Sequence, residues 1–360
     1  MQELKSNEAK LYGIKHSNRS SEEFWSKNKF NSSFPVSLAC YMRDKKIKAV
    51  YLKLDENLKV VSDTISIDEV FNCGNTPNEA LYFAFESKFD PYQVYSYESI
   101  RGIDLVVKDI NGNFLRPLEV KLTVLPDNYT CLLAEEDWSS EIVIRPATTS
   151  YCALGIADSC KSQINRIREI FEPIGSRIES WTNSTEMYIK MNNIIDAIDF
   201  FEREFYTNQK PLILQPIWKT KGKSPYLDDN AFDIFVWSDF AFTRLFLDAS
   251  RIDDSGRNIN ANISRPMRSC LRLARFLYDY SRSGKVRLTE IYRQMSFHYQ
   301  SDKEFSVNGG VTSRYMKHPR LRKPILPKEA VYDIILNNGM EKLSPERRFD
   351  QTIYFTLGPK

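Results

Sequence analysis

Apolar and polar residues alternate along this chain with two different periods, and each period predicts its own kind of element. Short runs rich in β-branched and aromatic residues predict strands at residues 36–40, 49–54, 105–108, 114–122, 141–145, 212–219 and 232–237. Longer stretches with apolar residues at helical spacing predict helices at residues 157–174, 185–206, 240–249, 265–281 and 288–299. The pattern therefore predicts an α/β (α+β) protein.

A further helix is predicted from Thr76 onward. Thr76 suits the N-cap and Pro77 suits the first helical position. Apolar residues then recur at intervals of four, at Leu81, Phe85 and Phe89, and predict one buried helix face.

The strongest hairpin signal in the chain is Asn111-Gly112, between the predicted strands at 105–108 and 114–122. A type I′ turn needs positive φ at both central residues, and Asn-Gly supplies it. If these two residues form the turn, Ile110 faces Asn113. This pairing fixes the register of the whole hairpin.

In that register, three ionisable side chains meet: Asp104 lies opposite Glu119, and Lys121 shares the face of Glu119 because side chains alternate along a strand. Like charges opposite each other destabilise a strand pair by roughly 0.2–1 kcal/mol. A divalent cation removes the repulsion, and carboxylate oxygens are ligands that Mg²⁺ prefers. With Lys121 to orient or deprotonate a water molecule, the set predicts metal-assisted hydrolysis of a phosphodiester.

At these residues the sequence resembles the PD-(D/E)XK nuclease superfamily. Asp104 fills the first acidic position of its motif, and Glu119-Val120-Lys121 fills the second part. Ile103 stands where the motif usually has Pro. The three-residue element is short and arises by chance in many proteins, so the interpretation depends on the hairpin and on the opposing Asp104.

The resemblance implies a mixed central sheet flanked by helices and a Mg²⁺ ion held by Asp104, Glu119 and the backbone carbonyl of Val120. In such nucleases a helix before the sheet often contributes one more acid. Glu86 is the candidate here, with Glu79 and Glu98 as alternatives.

Over nearly its full length the chain is most similar to the HindVP-type restriction endonucleases, including the stretches YESIRGIDLVV and LEVKLT. This similarity implies a type II enzyme that cuts double-stranded DNA at a short palindromic site. It also implies a homodimer and a companion DNA methyltransferase that protects the host DNA.

Charge is distributed unevenly along the sequence. Residues 255–328 contain 16 Lys and Arg against 4 acids, whereas the whole chain has a net charge of only +3. A concentrated basic segment predicts contact with a polyanion, although a solvated basic helix face would give the same count. We therefore divide the chain into a catalytic region, 1–254, and a basic, mainly helical DNA-binding region, 255–360. The candidate DNA-binding residues are Arg268, Arg272, Arg275, Arg314, Lys317 and Arg320.

Several other classes of protein are disfavoured. No apolar run is long enough to cross a membrane, and the first 20 residues contain no apolar core of a secretory signal. Six scattered cysteines and three histidines do not predict a zinc site, and a reduced, prokaryotic cytoplasmic location is expected. Two alternatives stay open: a DNA-binding protein without catalytic activity, and a repair or recombination nuclease of the same fold.

Overall fold

The computed structural model describes residues 34–126, 142–221, 226–252, 262–300, 303–307 and 318–331. Its strands are β1 Ala49–Leu54, β2 Val60–Ile65, β3 Leu81–Ser87, β4 Ile103–Asp109, β5 Phe114–Val120, β6 Thr123–Pro126, β7 Ile142–Ile144, β8 Pro211–Lys221, β9 Tyr226–Ser238, β10 Phe305–Val307 and β11 Leu326–Pro327.

The helices begin with α1, which occupies residues 34–44. They continue as α2 Ile67–Phe71, α3 Pro146–Ser159, α4 Ile164–Gly175, α5 Ser184–Ile189, α6 Met191–Phe205, α7 Asp239–Leu247, α8 Arg265–Ser283, α9 Leu288–Gln294 and α10 Pro319–Arg322. Short 3₁₀ helices include Asn78–Ala80 and Asp90–Tyr95. Within the described ranges, no helix is both long enough and apolar enough to cross a membrane.

In the described part of the chain, nine strands form one mixed sheet. Its main path has the order β2-β1-β9-β8-β5-β4-β3, with β6 beside β8 and β11 beside β9. β1 is parallel to β9, and β5 and β6 are parallel to β8, whereas the other pairs are antiparallel. The predicted mixed central sheet flanked by helices is confirmed.

Alternate residues of the central strands enter two hydrophobic cores, one on each side of the sheet. Val106 of β4 and Ile213 of β8 belong to the larger core, to which α3, α4, α6, α7 and α8 contribute. Their neighbours Leu105 and Leu214 belong to the other core, which α1 and α2 cover. Because side chains alternate along a strand, Asp104 lies on the same side as Val106, facing the larger core.

The basic C-terminal region packs on the rest of the molecule. Leu271 and Leu277 of α8 lie in the larger core, and Leu326 of β11 pairs with Phe232 of β9. The division of the chain at residue 254 stays a prediction.

The predicted strand at residues 36–40 is wrong, because these residues lie in α1. Phe34, Val36, Leu38, Cys40 and Met42 are all fully buried. A short apolar run that is buried on every side carries no period that separates a strand from a helix.

The helix predicted from Thr76 is also wrong, because a 3₁₀ turn is followed there by strand β3. The apolar residues that suggested it, Leu81, Phe85 and Phe89, are separated by four, and residues separated by four share a face in a strand as well as in a helix. The exposed Tyr82 between the buried Leu81 and Phe83 shows that the period of two is the one adopted.

Candidate active site

The hairpin of β4 and β5 turns through a three-residue loop, residues 110–112, rather than the two-residue turn that the sequence predicted. The N–H of Asp109 donates to the carbonyl of Asn113 at 3.0 Å, and the N–H of Gly112 donates to the carbonyl of Asp109 at 3.0 Å. Gly112 has φ of 83°, a left-handed conformation that glycine adopts without strain. The predicted type I′ turn is therefore wrong.

A β-bulge corrects the register that the longer loop would otherwise displace. Lys108 pairs with Phe114, but Val107 pairs with Arg116, so Leu115 is an extra residue in β5. A bulge places two residues opposite one and thereby moves the pairing by one position. The register shift caused by the longer loop is therefore cancelled by the opposite shift at the bulge.

Beyond the bulge, Leu105 pairs with Leu118, and one step further the same register places Asp104 opposite Glu119. The backbone N–H of Val120 donates to Oδ2 of Asp104 at 2.9 Å. The two predicted acids therefore lie side by side, as expected from the sequence.

Lys121 completes the group. Its Nζ donates to Oε1 of Glu119, and its backbone N–H donates to the carbonyl of Leu214 in β8 at 3.0 Å. Both side chains are largely buried, so the ion pair is shielded from solvent. The predicted convergence of Asp104, Glu119 and Lys121 is confirmed, and their catalytic roles stay predictions.

Electrostatics at Asp104 show how unfavourable this cluster is without a cation. Burial and, next, the negative charge of Glu119 raise the pKa of Asp104 to about 7. The charge of Lys121 and the hydrogen bond from Val120 act in the opposite direction, and Glu86 adds a smaller increase. Two carboxylates in this position favour a proton or a cation between them.

Thr148 is a residue of this site that sequence reasoning missed. It lies in the first turn of α3, is fully buried, and its Oγ1 donates to Oε1 of Glu119 at 2.8 Å. Glu119 itself is 5% exposed. Because the two residues are 29 positions apart, no spacing in the sequence indicates the contact. The only local hint is the Pro146 that starts a helix directly after β7.

Glu86 lies on β3 instead of the predicted helix, and it is exposed. Ser87 pairs with Ile103, so the register brings Glu86 opposite Asp104. Glu86 has φ of 50°, unusual for a residue with a side chain. Gly102 permits this backbone, since a Cβ there would lie 2.9 Å from the carbonyl oxygen of Glu86.

The two alternatives to Glu86 have other surroundings. Glu79 is exposed in the 3₁₀ turn before β3. Oε2 of Glu98 accepts the backbone N–H of Thr289 at 2.7 Å, near the start of α9. Of the three acids, Glu86 is the one whose charge acts on Asp104.

The donors at this site fit a cation that keeps much of its water. Among the residues that the structure describes, no group of three or more His, Cys, Asp and Glu side chains could hold a metal ion. Mg²⁺ is commonly bound through one or two carboxylates, with water and substrate phosphate as the remaining ligands. Asp104 and Glu119 supply two carboxylates. The Val120 carbonyl is directed to the same strand edge as its N–H, toward Asp104.

Two of the candidate DNA-binding residues, Arg268 and Arg272 of α8, are 1% and 8% exposed, so their burial does not support a contact with DNA. Nη2 of Arg268 donates to the carbonyl of Glu304 at 3.1 Å, and Nη1 of Arg272 donates to Oε2 of Glu304 at 2.5 Å. A buried guanidinium needs such partners because an unpaired buried charge is very costly. Arg275 is partly exposed and pairs with Asp279 at 2.7 Å.

Arg320 is partly buried and is paired with an acid of the sheet. Its Nε and Nη2 each donate to Asp233 at 2.7 Å, and Asp233 is fully buried. This bidentate pair joins α10 to β9, so the prediction that Arg320 faces DNA is not supported by its position. Arg314 and Lys317 lie outside the described residues.

Comparison with known proteins identifies the family. The HindVP restriction endonuclease family matches residues 25–358. The type II restriction enzyme HgiDI of Herpetosiphon aurantiacus is 36% identical over 355 residues, which cover 98% of this chain and 97% of that enzyme. The probable type II restriction enzyme HindVP of Haemophilus influenzae is 37% identical over 347 residues, covering 96% and 92%. No solved structure matches this chain. The chain therefore belongs to the HindVP restriction endonuclease family.

Proposed function

We propose that this protein is a type II restriction endonuclease that hydrolyses phosphodiester bonds of double-stranded DNA at a short palindromic site, with Asp104, Glu119 and Lys121 as its catalytic residues. The observation that carries the proposal is the meeting of these three side chains at the open end of the β4–β5 hairpin. The resemblance of this arrangement to PD-(D/E)XK nucleases supports the assignment.

Enzymes of this type generally use a divalent metal ion, and we propose Mg²⁺, which activates water and stabilises charge on the scissile phosphate when bound. Asp104, Glu119 and the carbonyl of Val120 would hold it. The hydrogen bond from Val120 to Asp104 and that from Thr148 to Glu119 orient the two carboxylates.

We propose that Lys121 acts on the attacking water. Its Nζ lies against Glu119, where as an ammonium it would orient a water molecule by hydrogen bonding. As the neutral amine it would instead take the proton of that water as the bond to phosphorus forms and the phosphorus–oxygen bond to the leaving strand breaks. In-line attack needs the water and the phosphate held about 3–3.5 Å apart, which fixed donors on adjacent strands provide.

Glu86 is the acid we propose as an additional ligand or outer partner of the metal. The support is its register opposite Asp104 and its effect on the pKa of that residue. Glu86→Gln should raise the Mg²⁺ concentration needed for half-maximal cleavage, whereas Glu79→Gln, at an exposed acid of the preceding turn, should leave it unchanged.

A homodimer and a companion methyltransferase belong to the same proposal. A palindrome presents identical contacts twice, and an isologous dimer meets both with the same surface. The action on DNA inside a host cell fits a prokaryotic cytoplasmic enzyme whose own genome is protected by methylation.

The decisive test compares cleavage with binding. Asp104→Asn, Glu119→Gln and Lys121→Ala should each abolish Mg²⁺-dependent cutting of plasmid and genomic DNA while a gel shift with the target duplex persists. Glu79→Gln serves as the control and should cut at the wild-type rate. Discrete fragments from genomic DNA support restriction.

Three results would contradict the proposal. A wild-type protein that shifts DNA but never cuts it with any divalent ion would be a binding protein. Nicking governed by DNA structure instead of sequence would indicate a repair or recombination nuclease. Full activity of the Lys121→Ala protein would remove that residue from the mechanism.

A further inference from the structure

An open groove of about 390 Å³ lies between the end of α8, the start of α9 and the segment that leads into β4. Tyr97, which is 56% exposed, forms one side of it. Its volume falls in the range of ligand-binding clefts. We call it the Tyr97 groove.

Positive charge dominates this groove. Arg275, Arg282, Lys285 and Arg287 line it together with the acids Asp279 and Glu290. Arg275 is tightly paired with Asp279 at 2.7 Å.

The other three cations are exposed and make no close ion pair with the residues that the structure describes, although Nη1 of Arg282 donates to the hydroxyl of Tyr278 at 2.7 Å. The nearest carboxylate oxygens are 3.8 Å from Nε of Arg282 and 3.9 Å from Nε of Arg287. Lys285 makes no ion pair with the residues that the structure describes. Exposed pairs of this length contribute little to stability, so these cations are available to an anion.

Two of the cations are ordered by the aromatic ring of Tyr97. The guanidinium of Arg287 and the ammonium of Lys285 lie 5.4 and 5.9 Å from the centre of that ring. The N–H of Tyr97 donates to the carbonyl of Val286, and the N–H of Val286 donates to the carbonyl of Tyr95, both at 3.0 Å. The charged segment is therefore fixed to the chain that leads to Asp104.

The Tyr97 groove is close to the catalytic hairpin. Tyr97 and Asp104 are seven positions apart in the sequence, which limits the distance between their Cα atoms to about 25 Å. This corresponds to roughly seven nucleotides along one strand of DNA. In addition, Tyr292 of α9 is hydrogen-bonded to Thr149, the neighbour of the Thr148 that contacts Glu119.

We propose that the Tyr97 groove binds the sugar–phosphate backbone of DNA beside the bond that is cut, with Arg282, Lys285 and Arg287 as phosphate contacts. The inference rests on the proposed nuclease function and adds to it a surface for substrate binding. Such contacts position the duplex without reading its sequence. In this proposal these three residues contact DNA phosphates, which the buried Arg268 and Arg272 do not.

The test measures how DNA affinity depends on salt. The variant Lys285→Ala/Arg287→Ala removes two charges from the groove. The control variant Lys45→Ala/Lys59→Ala also removes two exposed charges, one directly after α1 and one between β1 and β2. Each phosphate contact contributes about 0.9 to the slope of log K against log salt. The groove variant should lower the slope by about 1.8 and weaken binding about tenfold or more at moderate salt, whereas the control should match wild type.

Further measurements separate the possible outcomes. The charge-preserving variant Lys285→Arg/Arg287→Lys should keep the wild-type slope, and a thermal unfolding curve confirms that each variant folds. An unchanged slope in a folded Lys285→Ala/Arg287→Ala protein would overturn the proposal.

Binding is measured without Mg²⁺, so the result does not depend on cleavage. A protein that binds through the groove but never cuts would refute the nuclease function and leave the groove in place. A protein that cuts normally with an unchanged slope would refute only the groove.

Discussion

Thr148 donates a hydrogen bond of 2.8 Å from its Oγ1 to Oε1 of Glu119, inside the fold and at the first turn of α3. Lys121 donates to the same oxygen. Because both donors engage Oε1, we predict that Oε2 of Glu119 is the oxygen that contacts the metal ion or a water molecule. We therefore predict that Thr148 is a positioning residue for Glu119.

Thr148→Val should lower the single-turnover cleavage rate by roughly 10- to 150-fold, since a hydrogen bond to a charged group contributes about 1.5–3 kcal/mol. It should also raise the Mg²⁺ concentration needed for half-maximal rate. Thr148→Ser keeps the hydroxyl and should recover most of the activity. Equal activities of the valine and serine variants would show that the hydroxyl does not position Glu119.

Arg272 is predicted to stabilise the fold. Arg272→Ala should lower the free energy of unfolding by about 3–5 kcal/mol, because it leaves the buried Glu304 carboxylate without its charged partner. Urea denaturation measures the change, with Arg265→Ala on the same helix as a control that should cost less than about 1 kcal/mol. A stable Arg272→Ala protein that has lost DNA affinity would instead restore this arginine as a DNA contact.

Gly102 is predicted to matter for activity more than for folding. A Cβ at this position would meet the Glu86 carbonyl oxygen at 2.9 Å, so Gly102→Ala must displace β3 next to Asp104. Misplacement by about 1 Å can cost about 100-fold in rate, and a loss of that order is expected in a cleavage assay at saturating Mg²⁺.

Gly112→Asn is the matched control for that variant. Gly112 has open space around it and positive φ, which asparagine tolerates, so this protein should cut at the wild-type rate. Normal cleavage by Gly102→Ala would show that the close approach of Gly102 and Glu86 is not needed.

The raised pKa of Asp239 leads to a prediction of how the free energy of unfolding depends on pH. Burial raises the pKa of this carboxyl to about 7, although the N–H groups of Lys210 and Phe240 donate to it. The folded-state pKa thus exceeds the unfolded value near 3.9. Its contribution to stability is complete below about pH 4 and is lost as pH rises through 7.

Asp239→Asn does not titrate, so wild type should lose stability relative to this variant between pH 4 and pH 7, by about 1.4 kcal/mol for each pKa unit of difference. Urea unfolding at pH 5 and pH 8 measures it. Lys53 lowers the pKa of the exposed Asp63, so Asp63→Asn should show the opposite sign. Parallel pH profiles for wild type and Asp239→Asn would contradict the prediction.

Much of the fold follows from local periodicity. The long helix α8, Arg265–Ser283, was predicted to within two residues at its C-terminus, because its apolar residues recur at helical spacing. In the structure Ser264 caps this helix and Pro266 lies in its first turn. Strand β3 was mistaken for a helix because a spacing of four fits both elements. The local pattern of apolar residues identifies an element only where it fits one of the two periods, helical or strand, and excludes the other.

The residues of the candidate site likewise divide into those that the sequence could predict and those that it could not. Asp104, Glu119 and Lys121 could be found because one hairpin carries all of them, and hairpin register is a local property. The burial of Arg272 could not be found, since its partner Glu304 comes 32 residues later. The contact between Thr148 and Glu119 could not be predicted for the same reason. Contacts between distant segments depend on the packing of whole elements.

The extra residue Leu115 has a consequence for how this hairpin can vary. Deleting Leu115 alone would turn Glu119 to the opposite side of the sheet, away from Asp104, and shortening the loop alone would do the same. Making both changes together would restore the acid pair. Among relatives of this protein, loop length at the hairpin tip and the presence of the bulge should therefore change in concert, and a chain with only one of the two changes should have lost its nuclease activity.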